Sequence, residues 1–261
     1  MSPAQQPSVA TLPMYDLVEL RAAHDALWDA VVVAHGPGLP ATLTHGDDVH
    51  ALWHSPAMAV SQACGWPLVD ELDGRVRLVG AFAVDVSSAE GAARYRSHLL
   101  VRAGDELPDP ATATAAVNSF ASLSGWLSLV RAFPALDGDW PGGVTVTGAH
   151  VASLAALQDR SADVAAVDAV THAHVARHRP HLLDGLAIVG AGPLIPCLPL
   201  IANIRATDED VARLQEAFTA GVARLSADQR DALLITGFHP LTLDDYAPVR
   251  SMRSVWQGGR P

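Results

Sequence analysis

Apolar and polar positions along the chain switch repeatedly between a two-residue and a 3.6-residue period. "SVATL" reads as a first strand; Leu17, Leu20, Leu27, Trp28 and Val31 then recur at helical spacing, with Arg21, Asp25 and Asp29 on the other face. "ATLTHG" predicts a short strand, "DDVHALWH" a short helix and "MAVSQ" another strand. "VRLVGAFAVDV" is long and apolar, with "YRSHLLVRA" as its antiparallel or crossing neighbour across the polar "SSAEGAAR". A second alternation pairs "ATAAVN" with a helix "GWLSLVRAF", "GVTVTG" with "HVASLAALQDR", and "DVAAV" with "DAVTHAHVARH", which Pro180 ends. "LAIVGAG" and "LPLIAN" follow, and two helices close the chain. Thr207 with Asp210 and Ser226 with Gln229 have the spacing of capping boxes, and Gly237 is placed as a C-terminal cap.

This is an α/β pattern without repeats. Two crossing stretches, 87–91 and 188–190, divide it into a discontinuous lobe 1 (1–86 plus 191–261) and a lobe 2 (92–187). A chain that leaves a lobe and returns builds a cleft, and ligands of open α/β sheets sit beyond the carboxyl ends of strands. The polar residues just after the strands are therefore the candidates: Tyr15; Thr44, His45 and Gly46; Ser61 and Gln62; the serines of "AVNSFASLSGW"; Thr147, Gly148, His150 and Ser153; and Asp168 with Thr171. Ser119, Ser122 and Ser124 open a helix expected to begin near Gly125. Serines there either cap the helix or, with its N–H groups and positive dipole end, hold an anion.

Composition narrows the function classes. The 261 residues are 49% hydrophobic and 17% charged, enough for a sizeable core and unlike a disordered chain. The net charge of −11 comes without a basic block, which argues against nucleic acid. The longest apolar candidate, "GLAIVGAGPLIPCLPLIAN", is broken by three prolines and does not read as a membrane span. The first Lys or Arg is Arg21, so the start has no basic signal region; the expectation is a cytoplasmic protein as given, periplasmic or extracellular if a leader was removed. Cys64 and Cys197 have no metal spacing; they read as buried thiols, and a bridge between them stays open. His174 and His178 are an i, i+4 pair, but Arg177 and Arg179 crowd them and a solvated basic helix end is expected, with no metal site and no cofactor. There is no phosphate-loop signature, no credible dinucleotide fingerprint and no GxSxG elbow.

"TLPMYD", "LTHGDDVHALW", "SQACGWPL", "YRSHLLVR", "AVNSFASLSGW", "TVTGAHVASLAALQDRSADVAAVDAVT" and "GFHPL" together resemble the phosphonate, phosphite and phosphate substrate-binding proteins of ABC transporters, from about residue 8 to 246. The resemblance implies a two-lobed, type 2 periplasmic-binding-protein clamp with the ligand between its lobes. It implies that Ser122, Ser124 and Gly125 hold an oxyanion, that Thr147 and His150 add donors, and that Tyr15 and Asp168 line the site. Trp126 and Trp66 depart from the family pattern, where hydroxylated aromatics are common. The leading expectation is a binding protein without catalytic residues, taking a small oxyanion or organic ligand, with an ABC permease as partner if exported. The alternative is a cytoplasmic enzyme or sensor on the same fold acting on a larger organic ligand, with His150 and Asp168 as acid/base candidates.

Overall fold

The computed structural model describes residues 9–46, 49–91, 93–136 and 138–255. Ser8 of the first strand signal and Asp47 and Asp48 of the first short helix signal lie outside them. In chain order the elements are β1 (Val9–Thr11), α1 (Arg21–His35), α2 (Val49–Trp53), β2 (Met58–Gln62), α3 (Gly65–Val69), β3 (Val76–Val84), β4 (Arg94–Tyr95), β5 (His98–Arg102) and β6 (Thr114–Val117). Then come α4 (Ser128–Arg131), β7 (Gly143–Val146), α5 (His150–Gln158), β8 (Val164–Val167), α6 (Ala169–His178), β9 (Leu186–Ala191), β10 (Ile195–Pro196) and β11 (Pro199–Asn203). Finally α7 (Asp208–Arg224), α8 (Ala227–Leu233), β12 (Ile235–His239) and α9 (Ala247–Val255) complete the chain.

The chain divides into two compact units. The first is Met1–Asp85, Gly91–Ala93 and Pro196–Tyr246; the second is Val86–Glu90, Arg94–Ile195 and the stretch from Ala247 on. Residues 188–190 lie inside β9.

The first unit holds a sheet ordered β1-β2-β11-β3-β12. Only β1 and β2 run parallel; β11 pairs antiparallel with β2 and β3, and β12 antiparallel with β3. Its core joins Leu27, Trp28 and Val31 of α1 to Leu214, Phe218 and Val222 of α7. Gly221 permits that close packing, because a Cβ there would lie 2.6 Å from Val31 Cγ2. Both capping boxes form: Thr207 Oγ1 accepts from the Asp210 N–H at 3.1 Å, and Ser226 Oγ from the Gln229 N–H at 3.1 Å. α8 ends on Leu234 in a left-handed conformation (φ 54°), so Gly237 is not its cap but a residue of β12. "ATLTHG" is not a strand. The Thr44 N–H reaches the Ala10 carbonyl at 2.8 Å, and the His45 ring is hydrogen-bonded to the carboxylates of Asp16 and Asp25.

The second unit holds a sheet ordered β7-β6-β8-β5-β9, in which β6 runs parallel to β7 and β8, and β5 antiparallel to β8 and β9. Its core gathers Leu100, Ala116, Leu154, Leu157, Ala165 and Val175. The expected pairing of "YRSHLLVRA" with "VRLVGAFAVDV" does not occur. β5 is buried along four of its five residues and takes β8 and β9 as neighbours, while β3 is already flanked by β11 and β12. A helix from Ala247 also follows the two that were expected to close the chain.

Candidate functional site

The serine loop leaves β6 at Val117. The Ser119 hydroxyl accepts from the Ala121 N–H at 3.0 Å and shapes the turn. Ser122 is extended and is the helix cap: its Oγ accepts the Gly125 N–H at 2.9 Å. The helix therefore starts at Leu123, two residues earlier than the sequence suggests. Its first turn, Leu123–Leu127, is wide: the Leu127 N–H reaches back five residues to the Ser122 carbonyl at 3.1 Å. The Ser128 hydroxyl occupies the Leu123 carbonyl at 2.9 Å and helps hold that turn open. Gly125 is required by contact, since a Cβ there would lie 2.0 Å from Asn118 Oδ1. Ser122 accepts at its cap and keeps its own O–H to donate. Ser124 sits within the first turn and is buried.

The end of β7 is tied to the same loop. The Thr147 N–H donates to the Val117 carbonyl at 2.8 Å and the Gly148 N–H to the Asn118 carbonyl at 3.1 Å. Gly148 turns at φ +84°, a conformation that favours glycine. The Thr147 hydroxyl is engaged within its own turn, 2.7 Å from Ser153 Oγ and within reach of the Val117 and Ala149 carbonyls. This turn brings His150, the first residue of α5, to the serine loop: its Nε2 is hydrogen-bonded to Ser124 Oγ at 2.9 Å. His150 Nδ1 is sealed from solvent and has no hydrogen-bond partner of normal geometry among the described residues.

Asp168 follows β8 and caps α6. Its Oδ1 accepts the Val170 and Thr171 N–H groups, each at 2.9 Å, and its Oδ2 accepts the Tyr95 hydroxyl. A carboxylate held this way needs no ligand donor to be satisfied. The His98 ring, within the field of Asp168, lies edge-on to His172 at 5.1 Å between centroids.

Burial pulls the His150 ring below the ordinary histidine range, against the opposing charge of Asp168 and the Ala166 backbone. Burial lowers His98 and His172 as well, so these rings favour the neutral form. The stretches 116–126, 147–153 and 164–172 contain no Lys or Arg. Among the described residues no three His, Cys, Asp or Glu side chains are placed to hold a metal ion.

Six of the seven candidates, Ser122, Ser124, Gly125, Thr147, His150 and Asp168, thus belong to the second unit, where Ser124 and His150 touch. Tyr15 belongs to the first, in a 3-10 turn, half-buried. Ser61 is fully buried and receives the Trp53 indole N–H at 3.2 Å, a structural bond. Trp126 is fully buried against the edge of Phe120, 5.0 Å between centroids, so it acts first as core. Sequence reasoning missed Tyr95 and Asn118. Tyr95 was visible only as an aromatic next to a strand, and Asn118 only as a polar residue after one; neither pattern announces a contact so distant in sequence.

Residues 60–246 match the family model for the phosphonate ABC transporter periplasmic substrate-binding protein. The chain belongs to this family. Three solved structures share its fold. PhnD1 from Prochlorococcus marinus, in complex with methylphosphonate, is 10% identical with a TM-score of 0.72, covering 95% of this chain and 97% of that one. A binding protein component of an ABC phosphonate transporter from Pseudomonas aeruginosa is 16% identical with a TM-score of 0.69, covering 95% and 86%. A Xanthomonas citri protein bound to ATP is 14% identical with a TM-score of 0.67, covering 97% and 100%. No curated protein matches in sequence. The mixed α/β fold is that of the two-lobed periplasmic binding proteins, and the chain is a small-ligand binding protein; an enzyme or sensor on the fold is not favoured. Members of the family are periplasmic partners of ABC permeases. Among the described residues no helix is long and apolar enough to cross a membrane.

Proposed function

We propose that this chain binds a small oxyanion of the phosphonate or phosphate class in the periplasm and delivers it to an ABC permease. The hydroxyls of Ser122 and Ser124 and the N–H groups of the wide turn around Gly125 hold the anion, with Thr147 and His150 beside them. The observation that carries this reading is the Ser124–His150 contact at 2.9 Å. It brings the starts of two helices, 26 residues apart, to one place. Asp168 acts by position, capping α6 and holding Tyr95. Tyr15 enters through the sequence resemblance alone.

Calorimetric titration with phosphate, phosphite and methylphosphonate tests the proposal. Binding of at least one is expected. Ser124→Ala is expected to weaken it about tenfold or more, because a hydrogen bond to a charged group contributes about 1.5–3 kcal/mol. No binding heat from any of the three on the unmodified protein overturns the reading.

A further inference from the structure

The Ser124 hydroxyl carries a single proton, and that proton has two claimants. Ser124 Oγ and His150 Nε2 are hydrogen-bonded at 2.9 Å. If Nε2 is bare, the serine donates to the ring and presents only lone pairs elsewhere, which repel an anion. To donate to an oxyanion, the serine must receive from His150, and Nε2 must then carry a proton.

Charge balance points the same way. The three stretches that meet here contain no Lys or Arg, and the nearby carboxylate of Asp168 is already negative toward the site. Among the described residues, Tyr95 on β4 donates to Asp168, His98 on β5 stands in the field of Asp168, and His172 on α6 lies edge-on to His98. The rings of His98 and His172 are held toward neutrality by burial. His150 is the group in direct contact with a site serine that can become positive.

We infer that the site takes up its oxyanion together with one proton, which lodges on His150. The imidazolium then donates from Nε2 to Ser124 Oγ, the Ser124 hydroxyl turns to the anion, and Nδ1–H lies in the field of the Ala166 backbone, which favours the charged ring. No covalent bond changes: the proton comes from solvent and returns there on release. The inference rests on the oxyanion reading above and adds a pH-gated affinity to it. Burial favours the neutral ring, so the charge of the anion is what draws the proton in.

Nuclear magnetic resonance of protein labelled with [15N]histidine, at pH 7.5, tests this with methylphosphonate as probe. Saturation is verified by calorimetry on the same sample, and His150 is assigned by the signals lost in His150→Gln. The expected result is a change at His150 from one bare and one protonated nitrogen to two protonated nitrogens. Above the last ionisation of the free ligand and below that of the bound ring, Kd is expected to rise about tenfold per pH unit, as uptake of one proton requires. The same slope is expected to be absent in His150→Gln. If that variant does not fold, the slope of the unmodified protein decides. A saturated protein with His150 neutral in either tautomer, or with a Kd independent of pH, overturns this inference and leaves the oxyanion reading standing. Absence of binding heat overturns both.

Discussion

Around the start of α1, charges answer charges; around the starts of α4 and α5, neutral donors gather on stretches that carry no Lys or Arg. In the first region Arg21 grips Asp16 through Nε and Nη2 at 2.9 and 2.8 Å. His45 bridges Asp16 at 2.8 Å and Asp25 at 2.9 Å. In the second, Ser122, Ser124 and His150 meet on stretches free of Lys and Arg. Both lie at chain turns that present polar groups, and both contain a histidine, yet the two rings move in opposite directions. Burial alone would lower His45, but the hydrogen bonds it donates to Asp25 and Asp16 and their charges outweigh it and hold the ring above its ordinary value. Burial wins at His150. The difference teaches that an internally neutralised cluster staples a fold, whereas a cluster left short of charge is the one suited to complete itself with a ligand.

The largest expected effect comes from removing the carboxylate of the second region. Asp168→Ala deletes the α6 cap and leaves the Tyr95 hydroxyl buried without its acceptor. A cap contributes about 1 kcal/mol and an unsatisfied buried group costs about 1–3, so a loss of about 2–4 kcal/mol is expected in urea unfolding. A loss below about 1 kcal/mol would mean that Asp168 is not structurally engaged and would restore it as a free ligand contact.

The next effect sharpens the contrast inside the first region. His24 is buried beside the His45 cluster, and burial pulls it to about 4. Its folded value lies below its unfolded one, so the neutral ring belongs to the native state. The stability it contributes is present above about pH 6.5 and is lost as the pH falls towards about 4, by about 3 kcal/mol. His24→Leu is expected to flatten the stability profile across that window. An unchanged slope contradicts the assignment.

How much of this was legible beforehand depended on how local the determining interaction is. The two capping boxes were readable because Thr207–Asp210 and Ser226–Gln229 act within one turn. The serine helix was readable because Ser122 sits at its own cap, although the wide turn moved its start from Gly125 to Leu123. β5 was misplaced because an apolar run does not encode its partner: the burial of both faces fits either sheet, and only the competition for β3 decides. Gly237 was misread because a left-handed residue is normally glycine, and here Leu234 takes that conformation. In the candidate site, Ser124 and His150 were individually visible after their strands. Their contact was not, because it depends on the Gly148 turn and on the two bonds that tie β7 to the end of β6.

A smaller effect separates capping from binding. Ser122→Ala is expected to cost about 1 kcal/mol of stability by removing the acceptor of the Gly125 N–H. Ser124 caps no backbone N–H, and its partner His150 Nε2 is only part-buried and can turn to water once the hydroxyl is gone, so Ser124→Ala is expected to leave the unfolding midpoint measured without added ligand close to its original value. Equal stability losses in the two variants, measured by thermal unfolding, would erase the distinction between them.

The smallest effect tests the sign of the comparison. His45 is held above its unfolded value, so its contribution to stability is fully present below about pH 6.5 and is lost as the pH rises through the raised folded value. Asp16 is itself held low: burial opposes this, but the hydrogen bonds from Arg21 and His45 prevail, so the carboxylate stays charged throughout that range. Gln in place of His45 keeps a donor and an acceptor but does not titrate. His45→Gln is therefore expected to destabilise the chain at pH 6 and to approach the unmodified protein at a pH above the raised value. Asp25 is more than half exposed, so the difference is at most about 1 kcal/mol and shrinks in high salt. Chemical unfolding of the pair at both pH values reads it directly. A deficit that grows on the alkaline side would show that His45 works as a neutral ring, like His24, and would remove the opposition between the two regions.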